Sequence, residues 1–177
     1  MDLGLISVRY ARALLKASIA TKQSELVYND MMSLADSYVK VPALKATIDN
    51  PMLSRQQKVS LLHTAAADTS SELTQRFIQL VLNEGRESCM QFIANSFITL
   101  YRKHNNLIRA KLTTAATLDY KTEEKFRQLV ASKTNGKVEF TTNVDASLIG
   151  GFILEYDTYR MDASVRTQLN SILLQLN

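Results

Sequence analysis

The hydrophobic spacing of this chain changes once, at His104-Asn105-Asn106, and that change limits the fold more than any other feature. Before it, apolar residues recur every three or four positions, as in helices that bury one face. After it, Ile108, Ala110, Leu112, Thr114 and Ala116 alternate with Arg109, Lys111 and Thr113, as in a strand with one buried side. A chain of 177 residues has room for two small domains. The reading is therefore α+β with two domains: an all-helical bundle over 1–105 and a small α+β domain over 106–177.

Six helices are predicted in the first part. Ser7 caps the first, which runs to about Ala20 with Tyr10, Ala11, Leu14, Leu15, Ala17 and Ile19 on its apolar face. Small residues at Ala11, Ala13 and Ala17 let another helix approach. Ser24 caps the second, with Leu26, Val27, Met31, Leu34, Ala35, Tyr38 and Val39 facing inward. Pro42 ends it and opens a short third helix through Ile48. Asn50-Pro51 is a turn, and Ser54-Arg55-Gln56-Gln57 is a capping box for the fourth helix, with Val59, Leu62, Ala65 and Ala66. Asp68-Thr69-Ser70-Ser71 caps the fifth, which carries Leu73, Phe77, Leu80 and Val81 and stops at Gly85. The sixth, about Glu87 to Lys103, buries Met90, Ile93, Phe97 and either Leu100 or Tyr101. Helices this short do not persist alone in water, so mutual packing must hold them.

The second part reads β-α-β-β-β-α. A strand from Leu107 to Leu118 is followed by a helix that Thr122 caps and Phe126, Leu129 and Val130 anchor. Asn135-Gly136 stops that helix. Val138, Phe140, Thr142 and Val144 alternate as a second strand. The pair Gly150-Gly151 leads into apolar Phe152-Ile153-Leu154 and marks a bulge, a bend or the close approach of another backbone. No Gly-Lys-Ser/Thr follows, so it is not a phosphate loop. Asp157-Thr158 breaks to a short strand around Tyr159 to Met161. Asp162 or Ser164 caps a last helix with Leu169, Ile172, Leu173 and Leu176 on one face.

Composition argues against several functions. The net charge of +4 raises a nucleic-acid reading, but 12 basic and 9 acidic residues precede 106 and 9 and 8 follow, with no run of four basic residues. No apolar run nears the roughly 18 residues of a membrane span. The N-terminus lacks the marks of a signal or transit peptide, which predicts a cytosolic-type, bacterial protein. Cys89 is the single cysteine and reads as a packing thiol. His63 and His104 have no ligand spacing, and Glu123-Glu124 and Asp145 are explained by a helix start and a turn. No nucleophile, base and oxyanion donor come together. The residues point to a protein that binds other proteins, with no catalytic, metal or cofactor site.

Ser147-Leu148-Ile149-Gly150-Gly151-Phe152, followed by Asp162-x-Ser164-Val165-Arg166-x-x-Leu169, resembles the C-terminal signature of the delta subunits of F-type ATP synthases, whose mitochondrial counterpart is the oligomycin-sensitivity-conferring protein. The likeness extends over most of the chain. Arg9-Tyr10-Ala11-Arg12-Ala13-Leu14 is similar to the family's opening helix, Asn50-Pro51 with Lys58 to its Asn-Pro segment, and Leu82-Asn83-Glu84-Gly85-Arg86 to its Leu-x-x-Asn-x-Arg region. Tyr101-Arg102 with Ala110-x-Leu112-x-Thr114-Ala115 resembles its domain junction. Ala146 stands where proline is common and Ala163 where glycine is common.

The resemblance implies a non-catalytic stator subunit that couples proton-driven rotation to ATP synthesis. It would sit peripherally on the cytoplasmic face of the bacterial plasma membrane, without nucleic acid, membrane insertion or small-molecule substrate. The helical domain would hold N-terminal segments of the alpha subunits of the catalytic head. By analogy the groove lies between the first helix (Tyr10, Ala13, Leu14, Ala17) and the fifth (Phe77, Leu80, Val81), each residue being open to a core role as well. The C-terminal domain would grip the b subunits of the peripheral stalk through Ile149, Phe152, Val165, Leu169, Ile172 and Leu173, with Phe152 and Leu169 read more readily as core. The competing readings are a helical adaptor or nucleic-acid-binding regulator, and an enzyme with a site assembled across the two domains.

Overall fold

The computed structural model describes residues 3–66, 70–134, 137–156 and 158–176. Two compact units divide the chain, Met1–Lys103 and His104–Asn177. The connector residues Asp68 and Thr69, the helix stop Asn135-Gly136 and the break residue Asp157 lie outside the described residues, as does the side chain of Leu176.

The first unit contains α1 (Leu3–Ala20), α2 (Ser24–Lys40), α3 (Ala43–Asp49), α4 (Arg55–Ala66), α5 (Glu72–Asn83) and α6 (Met90–His104), with a 3-10 turn at Glu87–Cys89. Helix faces carrying Ala11, Met31, Leu34, Leu62, Ile78, Ile93 and Phe97 meet in a closed core. Burying such side chains, at about 1.5–3 kcal/mol each, is what holds helices too short to stand alone. Tyr101 is the buried member of the Leu100/Tyr101 alternative, stacked on Tyr28 at 4.3 Å between ring centres.

Several caps differ from expectation. Ser7 is buried inside α1 and bonds the Gly4 carbonyl at 2.9 Å, because the helix starts four residues earlier, at Leu3. Ser24 is the first residue of α2, with Gln23 in the cap position and no side-chain cap bond. Ile19, Leu26 and Val39, expected on the apolar faces, are exposed; each stands within three residues of an end of α1 or α2. The Ser54 box forms in both directions: Ser54 Oγ accepts from Gln57 N–H, and Gln57 Oε1 accepts from Ser54 N–H. Gly85 has φ +61° and closes α5, with Arg86 N–H reaching the Val81 carbonyl.

The second unit runs β1 (Leu107–Thr114), α7 (Tyr120–Lys133), β2 (Lys137–Val144), a 3-10 turn (Ala146–Leu148), β3 (Phe152–Tyr156), β4 (Tyr159–Asp162) and α8 (Val165–Leu176). The sheet order is β2-β1-β3-β4. β1 and β2 are parallel, as a crossover through α7 requires, and the other pairs are antiparallel. Ala110, Leu112, Val130 and Leu154 form the core, with Phe126, Phe140 and Phe152 packed on it. β1 ends at Thr114, four residues short of Leu118, where Asp145 N–H takes the Thr114 carbonyl. α7 starts at Tyr120 with Asp119 in the cap position, so Thr122 is in its first turn; Leu129 faces solvent.

Gly150-Gly151 precede β3 and serve a close backbone approach. A Cβ on Gly151, at φ +74°, would stand 2.1 Å from the Ala163 carbonyl oxygen. That approach lets Val165 N–H bond the Gly150 carbonyl and Ala163 N–H bond the Phe152 carbonyl, which ties the start of α8 to the head of β3.

Candidate protein-binding sites

α1 and α5 lie side by side and leave an open cleft of about 480 Å³ between them. Tyr10, Ala13, Leu14, Ala17, Phe77 and Leu80 line it, six of the seven residues expected there from the sequence. Tyr10 and Phe77 meet edge to face across its floor, 6.4 Å between ring centres. Leu80 is half exposed on one wall and Ala13 is exposed on the other, while Leu14 and Phe77 turn most of their surface into the core. Val81 does not line the cleft: it is fully buried, because it lies about 100° around α5 from Leu80. Arg9, Leu73 and Arg76 also line the cleft. Each stands four residues before a residue already placed there (Ala13, Phe77, Leu80), so one more helical turn along the same face would have found them.

The cleft is held by α5's N-terminus. Ser71 caps α5 by accepting from Thr74 N–H, and the buried Asp30 of α2 accepts from Ser71 N–H, Ser71 Oγ and Thr74 Oγ1. Beyond the other end of α5, Lys58 on α4 is buried and pairs with Glu87 at 2.9 Å. Burial pushes the Glu87 carboxyl up; the bond from Lys58 and the local backbone outweigh this and hold it below the ordinary glutamate range.

In the second unit the residues expected to meet a stalk divide. Ile149, Leu169, Ile172 and Leu173 are exposed, and no described side chain of α8 is buried. Leu169, expected in the core, is on this open face because α8 meets the unit mainly through its first turn, at Val165. Phe152 and Val165 are partly buried; Phe152 meets Phe126 edge to face, 4.8 Å between ring centres. Ile149 has φ +68° and ψ −40°, a strained conformation for a β-branched residue, and its side chain is 66% exposed. Ser164 caps α8 by accepting from Thr167 N–H, and bonds from Ser164 hold the Asp162 carboxyl below its usual range.

Among the described residues no three of His, Cys, Asp and Glu cluster as metal ligands, and no helix is long and apolar enough to cross a membrane. His63 is half buried on α4 and His104 is exposed at the end of α6.

The family model described as the ATP synthase delta (OSCP) subunit matches residues 6–176. The chain belongs to that family. Similar delta-family proteins include "ATP synthase subunit delta" of Phocaeicola vulgatus, 42% identical over 97% of this chain and 94% of that one. The protein of the same name in Parabacteroides distasonis is 41% identical over 97% and 96%. A chain in the Toxoplasma gondii mitochondrial ATP synthase hexamer has the same fold, with a TM-score of 0.67 at 23% identity over 96% of both chains. This delta-family chain is thus a subunit of an F-type ATP synthase, a component of its peripheral stalk.

Proposed function

We propose that this subunit is a non-catalytic coupling between two other parts of the synthase. Its helical unit takes an amphipathic N-terminal segment of an alpha subunit of the catalytic head into the α1–α5 cleft. Its second unit holds the b subunits of the peripheral stalk through the open face of α8 and the Ile149 turn. The head is thereby kept from turning with the rotor, and proton flow is coupled to ATP synthesis at the cytoplasmic face of the bacterial plasma membrane. A link under torque needs slow dissociation, which buried apolar contact supplies.

The observation that carries this reading is the cleft itself, an open apolar groove lined by α1 and α5 in a chain of the delta family. An amphipathic helix laid in such a groove is a recurrent recognition mode. Titration calorimetry of the full chain with a peptide of the alpha-subunit N-terminus tests it. Leu80→Glu puts a charge on the cleft wall and is expected to weaken binding at least tenfold, the circular dichroism spectrum staying unchanged. Equal affinity of the variant and the parent would count against the cleft.

A further inference from the structure

We infer that α1 presents a second docking face, beside the cleft, for an acidic amphipathic helix. Leu5, Val8, Arg9, Arg12, Ala13 and Lys16 line a shallow hollow of about 450 Å³ along α1. Only Arg9 and Ala13 are shared with the cleft, so the two surfaces are neighbours separated by one ridge. From Leu5 to Lys16 the face runs for about 16 Å, close to three helical turns. Leu5 is 69% exposed, and Val8 is exposed beside it.

Charge is what identifies the occupant. α1 carries no acidic residue from Leu3 to Ala20. Arg9, Arg12 and Lys16 fall within an arc of about 60° on one side of the helix. Among the described residues none of the three has an ion pair or hydrogen bond. Three helical cations elsewhere find an acid one turn away, Lys40 with Asp36, Arg76 with Glu72 and Arg127 with Glu123. α1 leaves its three cations without that partner, interleaved with exposed aliphatic side chains. A helix with carboxylates spaced three and four apart beside an apolar stripe complements both features. This face is additional to the cleft, with Leu5, Val8, Arg12 and Lys16 outside it and Arg9 and Ala13 common to both.

The test uses the full chain and a synthetic 20-residue amphipathic helix with leucines on one face and glutamates flanking them. A matched peptide with every glutamate replaced by glutamine is the control. The cleft is first blocked with Leu80→Glu. The glutamate peptide is expected to bind this variant still, to bind at least tenfold more weakly after Arg12→Glu and Lys16→Glu are added, and to lose affinity as salt rises. The glutamine peptide is expected to bind at least tenfold more weakly than the glutamate one. Loss of all peptide binding in Leu80→Glu alone would overturn the second face, as would binding indifferent to the charge reversal. Vesicles of phosphatidylglycerol and phosphatidylcholine form the last arm. Charge-dependent binding to these without binding of the peptide would make the face a lipid contact and overturn the inference. Because the alpha-subunit peptide is measured separately on the parent and on Leu80→Glu, failure of the cleft reading and failure of this one are distinguishable.

Discussion

Asp30, buried on α2, accepts a hydrogen bond of 2.9 Å from the hydroxyl of Ser71, the residue that caps α5. A side chain 41 positions earlier thus fixes the end of the helix that forms one wall of the cleft. Asp30→Ala leaves Ser71 and Thr74 without their acceptor. The expected cost is about 3 kcal/mol in urea unfolding followed by circular dichroism, in line with hydrogen bonds to a buried charge. The alpha-subunit peptide should also bind more weakly, and Asp30→Asn should recover part of both losses. Full stability of Asp30→Ala would show that α5 does not depend on this contact.

The Lys58–Glu87 pair predicts acid sensitivity of the helical unit. Because the folded Glu87 carboxyl is held below the ordinary range, its contribution is fully present above the unfolded value of about 4.3. It is lost as pH falls through the lower folded value. Glu87→Gln should flatten that part of the stability–pH curve and cost about 2 kcal/mol at neutral pH, since it leaves the buried Lys58 without a counter-charge. Adding Lys58→Met to that variant should restore most of the loss. If the double variant were no more stable than Glu87→Gln alone, the unpaired charge would not be the cause.

Gly151 and Gly85 both have positive φ, yet their surroundings differ. Gly85 meets nothing within 4 Å of a built Cβ, so Gly85→Ala should cost only about 1 kcal/mol, the backbone term. Gly151→Ala drives a methyl group into the Ala163 carbonyl and should cost more than about 3 kcal/mol, with loss of hydrogen-exchange protection at the β3 and α8 amides. Equal effects of the two substitutions would contradict the close approach.

Ile149 holds an aliphatic side chain in solvent on a strained backbone. Ile149→Gly should raise the stability of the second unit by about 1 kcal/mol, since strain of this kind costs roughly 1–3 kcal/mol and glycine returns part of it as chain entropy. The same substitution should weaken binding of the b subunits, measured by sedimentation. A less stable variant with unchanged stalk binding would remove Ile149 from the proposed interface.

Much of this was legible because it is local. The capping box at Ser54, the glycine stop at Gly85 and the alternation of β1 as far as Leu112 each depend on residues a few positions apart, whereas Thr113, expected on the open face, is buried. The glycine pair was readable as a bulge, a bend or a close approach; the approach to Ala163 is fixed only when β4 and α8 return beside β3. Long-range polar contacts left no local mark: Asp30 to Ser71 and Lys58 to Glu87 join residues far apart in sequence, and each charge reads alone as surface. The ambiguity between core and interface followed from periodicity, which gives a helix its apolar face without saying what covers it. Hence Val81 went inward and Leu169 outward.

The coupling role is tested most directly by one binding experiment, mass photometry of the catalytic head, the soluble part of the b dimer and this subunit. No complex of head with b dimer is expected in the absence of the subunit, and a joined complex is expected when it is added. Leu80→Glu should lose the head while still binding b. A head and b dimer that associate equally well without the subunit, or a Leu80→Glu chain that still joins them, would contradict it.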